Sequence, residues 1–283
     1  MLERCEKFLL EEFNVKCTDN VKKFVGMEID ARDNAVLLHQ QQMILQLGVD
    51  YRIEKFPETP MIPNLTWIAN SVPLEDLTPL QKLFGELNYV AGLTRPDIAY
   101  AVNRIARRLH DGTKEVFRAA KRILAYVVGT NDLALRVKAW DSPEWDMTLY
   151  CDASFADVVE DKYKSTGGFL LLLNDSIISW KSKKMKWVCS STAEAEYLAL
   201  YFSTKEALYL GYLVQEFFGK EIWPIRVKVD NQAVVHVIQK SAPANLTKHM
   251  ATKFYAVQQW QAEGFIHVED VTSKENLAGC FTK

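Results

Sequence analysis

Alternation of apolar and polar residues first appears at Lys22–Asp30, KKFVGMEID, which predicts a strand, and again at Ala35–Gln40. Arg32-Asp33-Asn34 between them has turn chemistry, so a hairpin is predicted. Gln41–Tyr51 predicts a short helix, and the prolines of Phe56–Asn64, FPETPMIPN, mark a loop. The period then becomes helical. Leu80, Leu83, Phe84, Leu87 and Val90 place a helix over Leu80–Leu93, and Arg95-Pro96-Asp97 opens the next with proline in its first turn. Thr113–Val128 supplies a third, closed by Gly129. This first unit, residues 1–138, reads as a β-hairpin plus a helical bundle, with no constellation of polar residues.

The polar, proline-marked segment Lys138–Asp146, KAWDSPEWD, reads as a domain boundary, with a second unit over 146–283. Met147–Ser154, Thr166–Leu173 and Ser176–Ser182 predict three strands, the last two joined by a turn at Asn174-Asp175. A helix over about Thr192–Phe218 follows, then a strand at Ile225–Asp230 and a short helix from near Asn231. A longer helix carries Met250, Phe254, Val257 and Gln261 on one stripe, and Ile266–Val271 predicts a last strand. Strands in meander, a helix, then a further strand and helix describe an α/β domain of mixed sheet.

Composition narrows the class. The chain has 283 residues, 48% of them hydrophobic and 25% charged, which suits two globular domains. No apolar run nears the roughly 18 residues of a membrane span, and Met1-Leu2-Glu3-Arg4-Cys5 carries no signal-peptide pattern. Five scattered cysteines without a CxxC pair argue for a reducing, intracellular compartment, cytoplasm or nucleus, and against a zinc site. A net charge of −2 gives no global attraction for nucleic acid, so such binding must rest on a local patch.

The candidate chemistry starts from SSTAEAEY, residues 190–197, with two glutamates two positions apart. On a helix they point about 200° apart, so they cannot share one task. Ser191-x-x-Glu194 matches a capping box, which accounts for Glu194. Glu196 lies instead on a face of Ala199, Leu200, Ser203 and Ala207, small or apolar residues suited to packing on a sheet. A carboxylate buried there needs a partner or a metal. Asp152 and Asp230 each close an apolar strand and are the candidate partners. Three converging carboxylates repel one another unless a divalent cation, Mg²⁺ or Mn²⁺, neutralises them. Taken singly, Asp152 also reads as a solvated strand end and Asp230 as a cap residue before Asn231.

YCDAS, STAEAEYLAL and VKVDNQAVV resemble the ribonuclease H domain of copia-type LTR retrotransposon polyproteins, as do GGFLLLLNDSIISWKSKK, TKHM and SKENLAGCFTK. Upstream, KFVGMEI, ETPMIPN, TRPDIAYAVNRIAR and AAKRILAYVVGT resemble the end of the same polyprotein's reverse transcriptase and its connection. Each motif is weak alone, but their series follows the family's order over nearly the whole chain. The resemblance implies a ribonuclease H-like mixed five-stranded sheet with flanking helices, preceded by a truncated reverse-transcriptase tail. It also implies Mg²⁺-dependent cleavage of the RNA strand of an RNA–DNA hybrid, with metal-binding roles for Asp152, Glu196 and Asp230. His249 reads either as a residue that orients a water or helps product leave, or as an exposed helix-start residue. Lys181, Lys183, Lys184 and Lys186, in WKSKKMKW, read either as a grip on the hybrid's phosphates or as a solvated strand end between core tryptophans.

Departures from the family pattern qualify the activity. Gly279 stands where the family has a fourth aspartate in a closing helix, and Ala251 replaces an aspartate after the Lys-His motif. The polymerase's Tyr-x-Asp-Asp motif is absent, no Asp-Asp pair occurs, and the chain begins after the place where that motif belongs, so polymerisation is not expected without a separate polymerase portion. The expected function is therefore a hybrid endoribonuclease, intact or impaired. The alternatives are an inactive transposon remnant that binds nucleic acid or protein at most, and a protein recruited to a host role.

Overall fold

The computed structural model describes residues 2–14, 21–63, 65–67, 71–140, 142–156, 162–239 and 248–283, with the side chains of 2–5 and 248–250 outside that description. The first half holds a four-stranded antiparallel sheet, β1 (Lys23–Phe24), β2 (Met27–Arg32), β3 (Ala35–His39) and β4 (Leu135–Lys138), in that order. Two of these strands depart from the expected hairpin. The stretch Lys22–Asp30 is not one strand, because Val25 and Gly26 both take positive φ (45° and 72°) and turn the chain back on itself. Tyr89 fixes that turn by donating its hydroxyl to the Val25 carbonyl at 2.7 Å. It also leaves no room at Gly26, where a Cβ would lie 2.1 Å from the Tyr89 oxygen. β4 is too short to stand out in the sequence. It joins β3 from far along the chain, with Val36 opposite Val137 and Leu38 opposite Leu135.

Helices α1 (Leu2–Glu12), α2 (Gln41–Asp50), α3 (Thr78–Leu93), α4 (Ala99–Ala106) and α5 (Lys114–Gly129) complete this half. The last four match helices the sequence predicts, α3 with the stripe its periodicity gives. Leu80, Leu83 and Leu87 of α3 pack against Ile98, Val102, Ile105, Ile123 and Leu124 in one core. Arg95 is buried in it (1% exposed), and its charge is fully engaged. It donates to both oxygens of Asp97 at 2.9 and 2.7 Å and to the carbonyl and hydroxyl of Thr130 at 2.9 and 2.7 Å, which pins the end of α5 to the α3–α4 corner.

The second half is a five-stranded mixed sheet of β5 (Met147–Ser154), β6 (Thr166–Leu173), β7 (Ser176–Lys184), β8 (Ile225–Val229) and β9 (Ile266–Asp270). Its order is β7-β6-β5-β8-β9, antiparallel among the first three and parallel from β5 through β8 to β9. The β6–β7 turn uses Asn174 and Asp175 at positive φ, a conformation such short polar side chains tolerate. Helix α6 (Thr192–Phe218) crosses one face of the sheet, with α7 (Gln232–Gln239) and α8 (Lys248–Ala262) beside it. Met147, Leu149, Cys151 and Ala153 of β5 enter the same core as Ala195, Ala199 and Ala207 of α6. On its other side α6 stacks Tyr197 on Phe254 and Tyr201 on Trp260 of α8.

The opposite face of the sheet is covered by a five-residue 3₁₀ turn, Leu277–Phe281, and by the first half. The expected closing helix is this turn; Asn276 caps it through Ala278 N–H at 3.1 Å. Trp180 donates its indole N–H to Ala91 of α3 at 2.8 Å, and Asn103 of α4 donates to Ser182 at 2.8 Å. Arg107 donates to Thr166 at 2.6 Å. The first half thus packs on the sheet of the second.

Candidate metal and nucleic-acid site

Local chemistry separates the two glutamates. Ser191 Oγ accepts from Glu194 N–H at 3.1 Å, and Glu194 Oε2 accepts from Ser190 N–H at 2.6 Å, so Glu194 is spent on capping α6. Glu196, two residues and about half a turn further in, is 6% exposed and faces the sheet beneath. Asp152, third from the end of β5, is 1% exposed, and half-buried Asp230 follows β8. β5 and β8 are parallel neighbours, so their carboxyl ends lie side by side under the start of α6. Each of the three residues offers one carboxylate oxygen, and these oxygens lie within 4.8 Å of one another.

Such crowding has an electrostatic consequence. Burial, then the charges of Asp152 and Asp230, push the Glu196 carboxyl up to about 8, against opposition from Lys283 and the Ala153 N–H. Two buried oxygens, Asp152 Oδ1 and Glu196 Oε2, have no hydrogen-bond partner among the described residues. An all-oxygen donor set with orphaned, inward-facing oxygens fits a hard divalent cation.

Three residues that the sequence reading did not single out complete the surroundings. Asn276 is buried and donates to the Cys151 carbonyl at 2.9 Å and to Asp230 Oδ1 at 3.1 Å, which holds that carboxylate in place. Thr282, fully buried, donates its hydroxyl to Asp152 Oδ2, and the Lys283 ammonium lies 3.6 Å from the same oxygen. All three sit in SKENLAGCFTK, a stretch marked for its resemblance and for Gly279; no local pattern says that it folds back onto β5. Thr282 and Lys283 also line a cavity of about 640 Å³ between the two halves, which Asp97, Tyr100, Arg104 and Ser154 share.

The four lysines come together elsewhere. Lys181, Lys183, Lys184 and Lys186 all line a second cavity of about 320 Å³ between β6, the end of β7 and α6, with Trp187 and Phe202, and none of the three carboxylates borders it. Lys181, Lys183 and Lys186 are exposed and Lys184 is half-buried. The two tryptophans of WKSKKMKW differ. Trp180 anchors the first half, as above, whereas Trp187 is exposed, stacks on Phe202 and carries Lys253 over its ring at 5.4 Å. His249 and Met250 fall in the first turn of α8, and their side chains lie outside the described residues.

A mixed five-stranded sheet in this order, with an acidic cluster at the carboxyl ends of its central parallel strands, defines a ribonuclease H-like protein. The solved foamy viral protease–reverse transcriptase in complex with double-stranded DNA shares the fold at a TM-score of 0.52, with 14% identity over 96% of this chain and 42% of that one. No family model matches the chain. The Pol polyprotein of transposon RE1 from Arabidopsis thaliana is 31% identical over 97% of this chain and 19% of its own length. The Ty5-1 transposon protein of Saccharomyces cerevisiae is 31% identical over 69% of this chain and 64% of its own length. The chain belongs to the copia-type retrotransposon Pol family. It spans about a fifth of the length of the first curated relatives it matches. Among the described residues, no helix is long and apolar enough to cross a membrane.

Proposed function

We propose that this chain is a metal-dependent ribonuclease H-like protein that binds RNA–DNA hybrid and cleaves its RNA strand, at a reduced rate. The observation that carries this reading is the meeting of Asp152, Glu196 and Asp230 within 4.8 Å, with two of their buried oxygens unpartnered. Those carboxylates would hold Mg²⁺, or Mn²⁺ in its place. When bound, such an ion lowers the pKa of water and neutralises charge at a scissile phosphate. The protein's own part is to orient the ligands. Asn276 fixes Asp230, the Ala153 N–H holds Glu196, and β5 carries Asp152 beneath α6. His249, in the first turn of α8, is proposed to orient a water or help product leave.

Lys181, Lys183, Lys184 and Lys186 are proposed to hold phosphates away from the acidic cluster, with Trp187 offering an aromatic face to a sugar or base. The separate cores of the two halves support a division into a connection-like unit over 1–138 and a ribonuclease H-like unit over 146–283. A polymerase portion would come from elsewhere in a longer Pol protein or from another chain, and the setting proposed is intracellular. One observation favours a second reading, a module that binds without cutting: Gly279 puts no carboxylate where the family resemblance has one.

The test is a hybrid-cleavage and hybrid-binding assay in Mg²⁺ and then Mn²⁺. Cleavage abolished by Asp152→Asn supports the enzyme, binding without cleavage supports the module, and neither activity refutes both.

A further inference from the structure

Resting on the metal-dependent reading above, we infer that the acidic cluster of this chain takes one divalent cation rather than a pair, because Thr282 and Lys283 already hold the second oxygen of Asp152. Two cations about 4 Å apart at one phosphate need a carboxylate that gives an oxygen to each. Asp152 is the most buried of the three acids and the natural bridge. Its two oxygens are not equivalent. Among the described residues Oδ1 is buried without a partner and belongs to the same cluster as the equally unpartnered Glu196 Oε2. Oδ2 accepts the Thr282 hydroxyl and has the Lys283 ammonium 3.6 Å away.

Both groups at Oδ2 present hydrogens, and one is a full positive charge. They satisfy an anion and repel a cation. Thr282 cannot simply turn away to water. It is fully buried, its N–H bonds Gly279 O at 3.2 Å, and its one hydroxyl proton has that same carbonyl, 3.1 Å away, as its alternative acceptor. Lys283 is mostly exposed and is the weaker lock of the two.

The same turn supplies nothing to replace what Oδ2 cannot give. Gly279 has no side chain, and a Cβ built there meets no heavy atom within 4 Å, so there is space without a ligand. Asp230 has one oxygen committed to Asn276. One cation held by Asp152, Glu196 and Asp230 is therefore what the donor set supports. The chain then retains cation and hybrid binding, while cleavage is slow for want of the second ion.

Counting Mn²⁺ ions bound to the full chain by isothermal titration calorimetry, with hybrid binding and cleavage measured separately, tests this. The wild-type chain is expected to bind one Mn²⁺, and Asp152→Asn to bind none. Lys283→Ala should still bind one, about fivefold more tightly, the equivalent of the ~1 kcal/mol that a unit charge exerts at about 4 Å through water. Gly279→Asp combined with Thr282→Val and Lys283→Ala should bind two, its folding checked by circular dichroism. Two ions on the wild-type chain would overturn the one-cation inference and leave the metal-dependent function standing; no ion at all would overturn both. One ion that survives Asp152→Asn sits elsewhere and also overturns the inference. A folded triple variant that binds only one would overturn Thr282, Lys283 and Gly279 as the cause.

Discussion

At the scale of single residues, Glu194 and Glu196 differ less in chemistry than in what surrounds them. One caps a helix in water, and the other faces two aspartates at the carboxyl ends of neighbouring strands. The Glu196 carboxyl titrates near about 8 in the folded chain, above its ordinary value, because burial and its neighbours disfavour the charge. Its stabilising contribution is thus complete below the unfolded pKa and is lost as pH rises through about 8. In metal-free protein, Glu196→Gln should leave Tm unchanged at about pH 4 and raise it by about 5 °C at about pH 9. Thermal unfolding across that range checks this, and a pH-independent difference would count against it. Asn276 invites a second measurement. Its replacement by Ala leaves the Cys151 carbonyl without its donor and frees Asp230 to move. The expected cost is about 1–2 kcal/mol in urea unfolding, together with weaker Mn²⁺ binding. Unchanged Mn²⁺ affinity would show that Asp230 needs no such support.

At the scale of elements, periodicity performed well where each element meets its environment along its own length. β5, β6 and α6 occupy Met147–Ser154, Thr166–Leu173 and Thr192–Phe218, the spans their patterns predict. It failed where a distant partner decides. β1 and β2 are two strands because Tyr89, more than sixty residues on, holds a left-handed turn at Val25-Gly26. β4 exists because β3 offers it an edge. The closing segment is a short 3₁₀ turn, for Gly279 weakens a helix and Asn276 caps only its start. Arg95 belongs to this scale as well, since its side chain joins the α3–α4 corner to the end of α5. Arg95→Met should cost about 3 kcal/mol, because it leaves Asp97 and the Thr130 carbonyl without their charged donor. Chemical denaturation measures this, and a loss under about 0.5 kcal/mol, the level of an ordinary surface change, would refute the pinning role.

At the scale of the whole molecule, two cores meet across the second face of the C-terminal sheet. Trp180, Ser182 and Thr166 on that face receive or give hydrogen bonds to α3 and α4. The connection between the halves runs through the polar stretch after β4, so limited proteolysis should cut within 138–146 first. The 1–138 portion should then be degraded faster than 146–283, because it exposes Phe24 and Val25 at the edge of its four-stranded sheet and Val49 on α2, while the second half closes its core around α6. Mass spectrometry of the time course reads the outcome, and equal survival of both portions would refute it. The sequence alone determined most of the helices and strands and picked Glu196 over Glu194 as the buried acid, since both follow from spacing along a few turns of chain. Only the tertiary structure decided that Asn276, Thr282 and Lys283 reach the acidic cluster, that the four lysines line a separate cavity, and that β4 completes the first sheet. Those contacts join segments up to 130 residues apart, and such pairings depend on which surfaces remain to be covered after each element has formed.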